Sequence, residues 1–180
     1  MKFITGNSRK YEEVRDLLAP ILVEQISMRL DEIQELDPRK IIEHKLSQAR
    51  AAGFGECIVE DSALYLDALN GFPGPLVKWL EDAVGLVKIS ELTEALGNSK
   101  ARVETIVGYF DGISRCEYFT GSLNGEIVKP RGEKDFGYGT IFVPEGHCKT
   151  FGEMERSEKH SLSMRAQAVQ KFKQYLQNQK

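Results

Sequence analysis

The sequence predicts an α/β fold: a mixed, twisted sheet in two lobes with a central cleft for substrate, formed by one domain over residues 1–180. Three observations lead there. The chain opens strand–turn–helix, residues 101–120 carry a hairpin pattern, and the tail shows helical spacing at Leu162, Val169, Phe172 and Leu176. Antiparallel strands inserted in an α/β frame produce two lobes, and ligands favour the space between lobes.

The elements follow in order. Lys2-Phe3-Ile4-Thr5 reads as a first strand, and Gly6-Asn7 turns into a helix whose apolar side is Tyr11, Val14, Leu17 and Leu18. Asn7 suits the N-cap and Pro20 the stop. Residues 21–30 read as extended. Asp37-Pro38 then offers a second N-cap with proline at the first helical position, ahead of a stripe of Ile41, Ile42, Leu46, Ala49 and Ala52 that ends at Gly53. Cys57-Ile58-Val59 is a short buried strand running into Glu60-Asp61.

Turn residues crowd Asn70-Gly71-Phe72-Pro73-Gly74-Pro75, and two short helical stretches follow around 76–83 and 89–96, the second closed by Gly97. Strands at 101–110 and 113–120 flank Asp111-Gly112, a strong two-residue hairpin signal. Asn124-Gly125 predicts another tight turn before Ile127-Val128. Ile141-Phe142-Val143 predicts a strand between Gly139 and Pro144, and a closing helix runs from about 161 to 177.

Composition narrows the function classes. With 180 residues, 41% hydrophobic and 28% charged, the chain is long enough for one core, which excludes general disorder. Lys+Arg 24 against Asp+Glu 27 gives a net charge of -3, so neither nucleic acid nor an anionic membrane is expected as a partner. No apolar run approaches the ~20 residues of a membrane span, and no secretory segment is read at the start. The 3 cysteines, Cys57, Cys116 and Cys148, have no metal or redox spacing and fit free thiols in a reducing, cytoplasmic setting.

Phosphate-loop, dinucleotide, nucleophile-elbow and HExxH signatures are all missing, and His44, His147 and His160 lack metal-ligand spacing. Chemistry here must run on carboxylates and lysines. Thr5-Gly6-Asn7-Ser8-Arg9-Lys10 sits where a strand hands over to a helix, a place that favours an anion; Lys10 is either a phosphate contact or a surface lysine on a capped turn. Glu35, Glu60 and Asp61 are either a solvated acidic set or oxygen ligands for Mg²⁺, which takes one or two carboxylates plus substrate phosphates. Lys45 is either a snorkelling lysine or a phosphate contact. Phe136 and Tyr138, loosened by Gly137 and Gly139, are either core or a stacking platform for a flat base, and Lys159 and Arg165 flank the final helix where an anion or base could be met.

Taken together these residues resemble the inosine triphosphate pyrophosphatase family. Thr5-Gly6-Asn7-x-x-Lys10, Glu35, Lys45, Glu60-Asp61-Ser62-x-Leu64, Gly71-Phe72-Pro73-Gly74-Pro75, Pro130-Arg131-Gly132, Phe136-Gly137-Tyr138, Thr150-Phe151-x-Glu153-Met154, Glu158-Lys159 and Ser163-x-Arg165 occur in that family's order, from Thr5 to about Ala168.

The resemblance implies an ITPase-like fold and a homodimeric, Mg²⁺-dependent hydrolase. It would convert ITP, dITP or XTP to the monophosphate and pyrophosphate, cleansing the nucleotide pool. It also implies roles: Thr5, Asn7, Lys10 and Lys45 on the triphosphate, Glu35 and Asp61 at the metal, and Asp61 at the attacking water. Phe136 would stack on the base, Lys159 would meet the nucleotide and Arg165 would approach the base edge.

Two positions depart from the family pattern. Gly139 stands where the family carries an aspartate, and Met164 where it carries a histidine. Both lie around the base, so base discrimination is expected to be relaxed or redirected, pyrimidine nucleotides included. A nucleotide-binding regulator without turnover is the reading from another class, and the intact Lys10, Glu35 and Asp61 count against it.

Overall fold

The computed structural model describes residues 1–179. In chain order it comprises β1 (Lys2–Ile4), α1 (Ser8–Leu18), β2 (Glu24–Ile26), α2 (Pro38–Ala51), β3 (Cys57–Leu66), β4 (Pro73–Gly74), α3 (Val77–Ala95), β5 (Lys100–Phe110), β6 (Cys116–Ile127), β7 (Phe142–Pro144), α4 (Arg156–Leu162) and α5 (Met164–Asn178). The strands form one mixed sheet in the order β2-β1-β3-β5-β6-β7, with β4 paired to β3. β1 runs parallel to both β2 and β3, whereas β3–β4 and β6–β7 are antiparallel. The α/β class expected from the sequence is what the chain adopts.

Contacts group the chain into two units. One comprises Met1–Asp61, Thr105–Gly121 and Met164–Lys180. Its apolar residues lie in two clusters. Phe3 and Ile58 join Val14 and Leu18 of α1 and Val169 and Phe172 of α5 in the first. Ile4 and Val59 join Ile42, Leu46 and Ala49 of α2 in the second. Consecutive strand residues point to opposite faces, so Phe3 and Ile4 belong to different clusters. Full burial of a side chain such as Leu46 or Phe172 is worth about 1.5–3 kcal/mol, so both amphipathic helices are held by their stripes more than by propensity. Capping follows the sequence signals: Asn7 accepts from the Lys10 N–H at 3.0 Å, and Asp37 accepts from the Arg39 N–H at 2.9 Å with Pro38 in the first turn.

The other unit comprises Ser62–Glu104 and Ser122–Ser163. Its core includes Leu64, Ile89, Val103, Ile141, Phe142 and Phe151, the last two with ring centroids 5.5 Å apart. The two helical stretches expected around 76–83 and 89–96 both form along α3, parted by a kink at Gly85, whose φ of 77° and ψ of 160° only glycine adopts without strain.

Five expectations are corrected. β3 does not stop at Val59 but continues to Leu66, so Glu60 and Asp61 sit inside a strand and not at its carboxyl end. Only Glu24–Ile26 of residues 21–30 pairs as a strand. Asp111 does not open a two-residue hairpin: its Oδ1 accepts from the N–H groups of Ile113, Ser114 and Arg115, tying a longer turn, and β6 begins at Cys116. Asn124-Gly125 lies within β6, where glycine is needed because a Cβ at 125 would collide with the Val143 carbonyl and the Phe142 ring. The closing helix is two helices, divided where Ser163 takes an extended conformation with ψ of 154°.

Candidate active site

β1 delivers the chain into Thr5-Gly6-Asn7, and two side chains shape that turn. Thr5 Oγ1 accepts from the Asn7 N–H at 3.1 Å, and Asn7 Oδ1 accepts from the Lys10 N–H at 3.0 Å. Acting as acceptors, these side chains keep the Thr5 hydroxyl proton and the Asn7 amide protons as donors. They do so at the amino end of α1, where the helix dipole favours an anion. Space is open there, since a Cβ on Gly6 would meet no heavy atom within 4 Å.

The parallel register sets Phe3 opposite Ile58, so Glu60 and Asp61 follow beside this turn. The pleat sends them to different faces. Glu60, with its side chain fully buried, meets Arg165 of α5 through Nε at 2.9 Å and Lys10 of α1 through Nζ at 3.2 Å. Arg165 also donates to Glu13. Burial is the largest influence on Arg165 and works against its charge, but Glu60 and Glu13 outweigh it and hold the guanidinium more firmly protonated than usual.

Asp61 faces α2, where Lys45 Nζ lies 2.8 Å from Asp61 Oδ1 and 2.8 Å from Glu32 Oε1. Glu32 comes from the irregular segment 27–37, and Gln48 of α2 fixes that segment. Its amide accepts from the Asp31 N–H at 2.8 Å and donates to the Asp31 carbonyl at 2.9 Å. Burial pushes the Asp61 carboxyl above the ordinary aspartate range, and Lys45 followed by Lys10 offset only part of it. That makes Asp61 a stronger base than a solvated aspartate.

The other unit holds a second constellation. Lys159 of α4 donates to Asp135 Oδ1 at 2.6 Å, with both residues buried. Its ammonium lies 5.3 Å from the Phe136 ring centroid and 5.7 Å from that of Phe151. Phe136 is partly exposed and can offer a ring face, whereas Tyr138 is buried with its hydroxyl donating to the Ala63 carbonyl at 3.5 Å.

The structure thus gathers Thr5, Asn7, Lys10, Lys45, Glu60 and Asp61 where β1 ends beside the middle of β3, and Phe136 with Lys159 elsewhere. Three expected roles meet a different environment. Glu60 is a buried counter-ion for Arg165 and Lys10, committed to cations and not presented as a metal ligand. Arg165 is enclosed between two carboxylates and 2% exposed, so it does not offer an open edge to a base. Glu35 lies in an exposed loop, bonded to Lys40 at 3.1 Å and to the N–H groups of Leu36 and Asp37; these bonds lower its pKa, the Asp37 one most.

Three further residues escaped sequence reasoning. Glu13 follows Lys10 by three positions on the inward side of α1, a signal that was legible. Glu32 had none, because an irregular loop and the Gln48 clamp place it. Asp135 was hidden because its partner Lys159 is 24 residues away.

Among the described residues no three His, Cys, Asp or Glu side chains converge as a metal cage. No helix among them is long and apolar enough to cross a membrane.

A mixed sheet with helices on both faces and an acid–lysine cluster beside the first strand–helix turn define an α/β protein with a charged site suited to an anionic ligand. The fold matches that of the Staphylococcus aureus Ham1 protein with a TM-score of 0.84, covering 100% of both chains at 22% identity. It matches a HAM1 protein from Coxiella burnetii with a TM-score of 0.79, covering 99% of each at 26% identity. The chain belongs to the Ham1 family, whose profile matches residues 1–175. It is 38% identical over 179 residues to the dITP/XTP pyrophosphatase of Methanopyrus kandleri, covering 98% of this chain and 95% of that one. It is 36% identical over 185 residues to the inosine triphosphate pyrophosphatase of Saccharomyces cerevisiae, covering 97% and 94%.

Proposed function

We propose that this protein is a nucleoside triphosphate pyrophosphatase acting on ITP, dITP and XTP, a hydrolase that clears deaminated purine nucleotides from the cytoplasmic pool. One observation carries the reading: Lys10 and Lys45 bracket the Glu60-Asp61 step from its two faces, beside an open helix amino terminus. Relatives named for the dITP/XTP and ITP reactions support the substrate class.

In the reaction, a water oxygen bonds to the α-phosphorus while the bond from that phosphorus to the α–β bridging oxygen breaks. The nucleoside monophosphate and pyrophosphate leave. Asp61 Oδ takes the water proton. Lys10, Lys45 and the donors of Thr5 and Asn7 hold the phosphates, so positioning and fixed charge supply most of the rate.

The residues fit a divalent cation, which we take to be Mg²⁺. Asp61 and Glu32 already converge on one cation, the Lys45 ammonium, with hard oxygen donors only. Across the cluster Glu13, Glu32, Glu60 and Asp61 exceed Lys10, Lys45 and Arg165 by one charge. Mg²⁺ needs no more than one or two carboxylates when substrate phosphates complete its shell. Asp61 and Glu32 would hold it, and it would supply neutralisation of phosphate charge.

The homodimer implied by the resemblance belongs to the same proposal. α3 leaves Trp79 60% and Val87 55% exposed, apolar surface that a second copy would cover. Light scattering on the purified protein should give twice the chain mass.

The deciding experiment is a panel of nucleoside triphosphates with Mg²⁺, scored separately for pyrophosphate and orthophosphate. Pyrophosphate from ITP, dITP and XTP is expected. Orthophosphate as first product would refute the reaction.

A further inference from the structure

β2 ends too early to finish its pairing with the chain leaving β1. The Thr5 N–H donates to the Ile26 carbonyl at 3.0 Å, and in a parallel ladder the Thr5 carbonyl would then accept from the Met28 N–H. That N–H instead turns back to the Ile26 carbonyl at 2.9 Å, and β2 stops at Ile26. The side chain of Gln25 takes its place, with Nε2 donating to the Thr5 carbonyl at 3.1 Å. Gln25 pairs in register with Phe3, so its side chain shares the face of Phe3 and Thr5 and reaches Thr5 by leaning along the strand. β2 is itself held in place, since the Tyr11 hydroxyl of α1 donates to the Val23 carbonyl at 3.1 Å.

A bond to that carbonyl sets the whole peptide. The Thr5–Gly6 peptide is trans and planar, so the Gly6 N–H points opposite to the Thr5 C=O. With the carbonyl held by Gln25 of β2, the N–H is directed to the other side of β1, where β3 carries Asp61. Nothing in the fold requires glycine at position 6: its φ is not positive, and a Cβ would meet no heavy atom within 4 Å. The missing side chain leaves open space beside this N–H at the amino end of α1.

We propose that Gln25 is a positioning residue of the phosphate site, holding the Thr5–Gly6 peptide so that the Gly6 N–H donates to a phosphate oxygen of the nucleotide. Lys10 and Lys45 bring charge to the site, whereas this N–H brings a fixed direction that needs no reorganisation when the anion arrives. The ligand class, a phosphoanhydride chain, rests on the proposed function; the bond from Gln25 to Thr5 does not.

Inorganic tripolyphosphate with no metal added is the probe, because it carries the anion and no base. Calorimetry measures its affinity, thermal midpoints report on the fold, and the amide resonance of Gly6 in a nitrogen-15 spectrum reports on the donor. Gln25→Leu, and Gln25→Ala as a smaller truncation, should bind it roughly threefold to tenfold more weakly, the scale of one hydrogen bond. The Gly6 resonance should shift on binding in the wild type and shift less in these variants. Gly6→Ala should melt no lower than the wild type and still bind more weakly. Its loss and that of Gln25→Leu should be less than additive, because both act on one donor.

Wild-type affinity in the Gln25 variants, with or without a lowered midpoint, would overturn the proposal. So would wild-type affinity in Gly6→Ala, or a Gly6 resonance that does not respond in the wild type. Turnover separates this inference from the proposed function. If the wild type binds tripolyphosphate through Gly6 but releases pyrophosphate from no nucleotide, the proposed function fails and the positioning role stands. If it releases pyrophosphate and the Gln25 variants bind and turn over as it does, only the positioning role fails.

Discussion

Glu60 and Asp61 are consecutive on β3 and meet different partners, because the pleat turns one toward α1 and α5 and the other toward α2. One carboxylate is thereby a structural counter-ion, and the other remains 14% exposed beside the candidate phosphate site.

The two should respond oppositely to removal of charge. Asp61→Asn should fold normally and lose roughly hundredfold or more in turnover, the scale of a general base. Glu60→Gln takes one of two carboxylate partners from Arg165 and the carboxylate from Lys10, and should cost about 1–3 kcal/mol of stability. Denaturant midpoints with pyrophosphate-release rates on both variants separate the cases, and an Asp61→Asn enzyme with wild-type turnover would remove Asp61 from the mechanism.

Glu32 and Glu35 provide a second contrast. Glu32 shares Lys45 with Asp61, whereas Glu35 is bonded to Lys40 and its own loop. Glu32→Gln should raise the Mg²⁺ concentration for half-maximal activity several-fold more than Glu35→Gln does. Mg²⁺ titrations at saturating ITP measure it, and the reverse order would return the metal role to Glu35.

Lys10→Ala should weaken every triphosphate substrate alike, because a phosphate contact carries no base information. A charge-assisted contact is worth roughly 1.5–3 kcal/mol, a tenfold to hundredfold loss in kcat/KM. Measuring ITP, XTP, GTP and ATP side by side tests this, and a loss confined to one base would refute the placement.

Glu153 gives a pH dependence. The Thr150 N–H, bonded at 2.9 Å, holds its carboxyl below the ordinary value of 4.5, and Arg131 adds to the effect. A folded pKa below the unfolded one contributes stability that is complete above 4.5 and is lost as pH falls through the folded value. The Tm deficit of Glu153→Gln should be constant near neutrality and shrink below 4.5, as a pH series of melts would show. A deficit independent of acid pH would exclude the charge as its cause.

By itself the sequence determined the α/β class, the two capped helices and the Thr5-Asn7-Lys10 turn, because caps, prolines and apolar stripes act within a few residues of each other. It also marked Lys45, Asp61 and Phe136 as candidates for a site, with a snorkelling, a solvated and a core role left open beside the functional ones. Only the tertiary structure decided what Glu60, Arg165, Glu32 and Asp135 do. Arg165 meets Glu60 across 105 positions of chain, and Glu32 reaches Lys45 only because Gln48 clamps an irregular loop. Charge pairing is settled by which groups burial brings together, and a buried cation takes whichever carboxylate the packing supplies, whatever the distance between them in sequence.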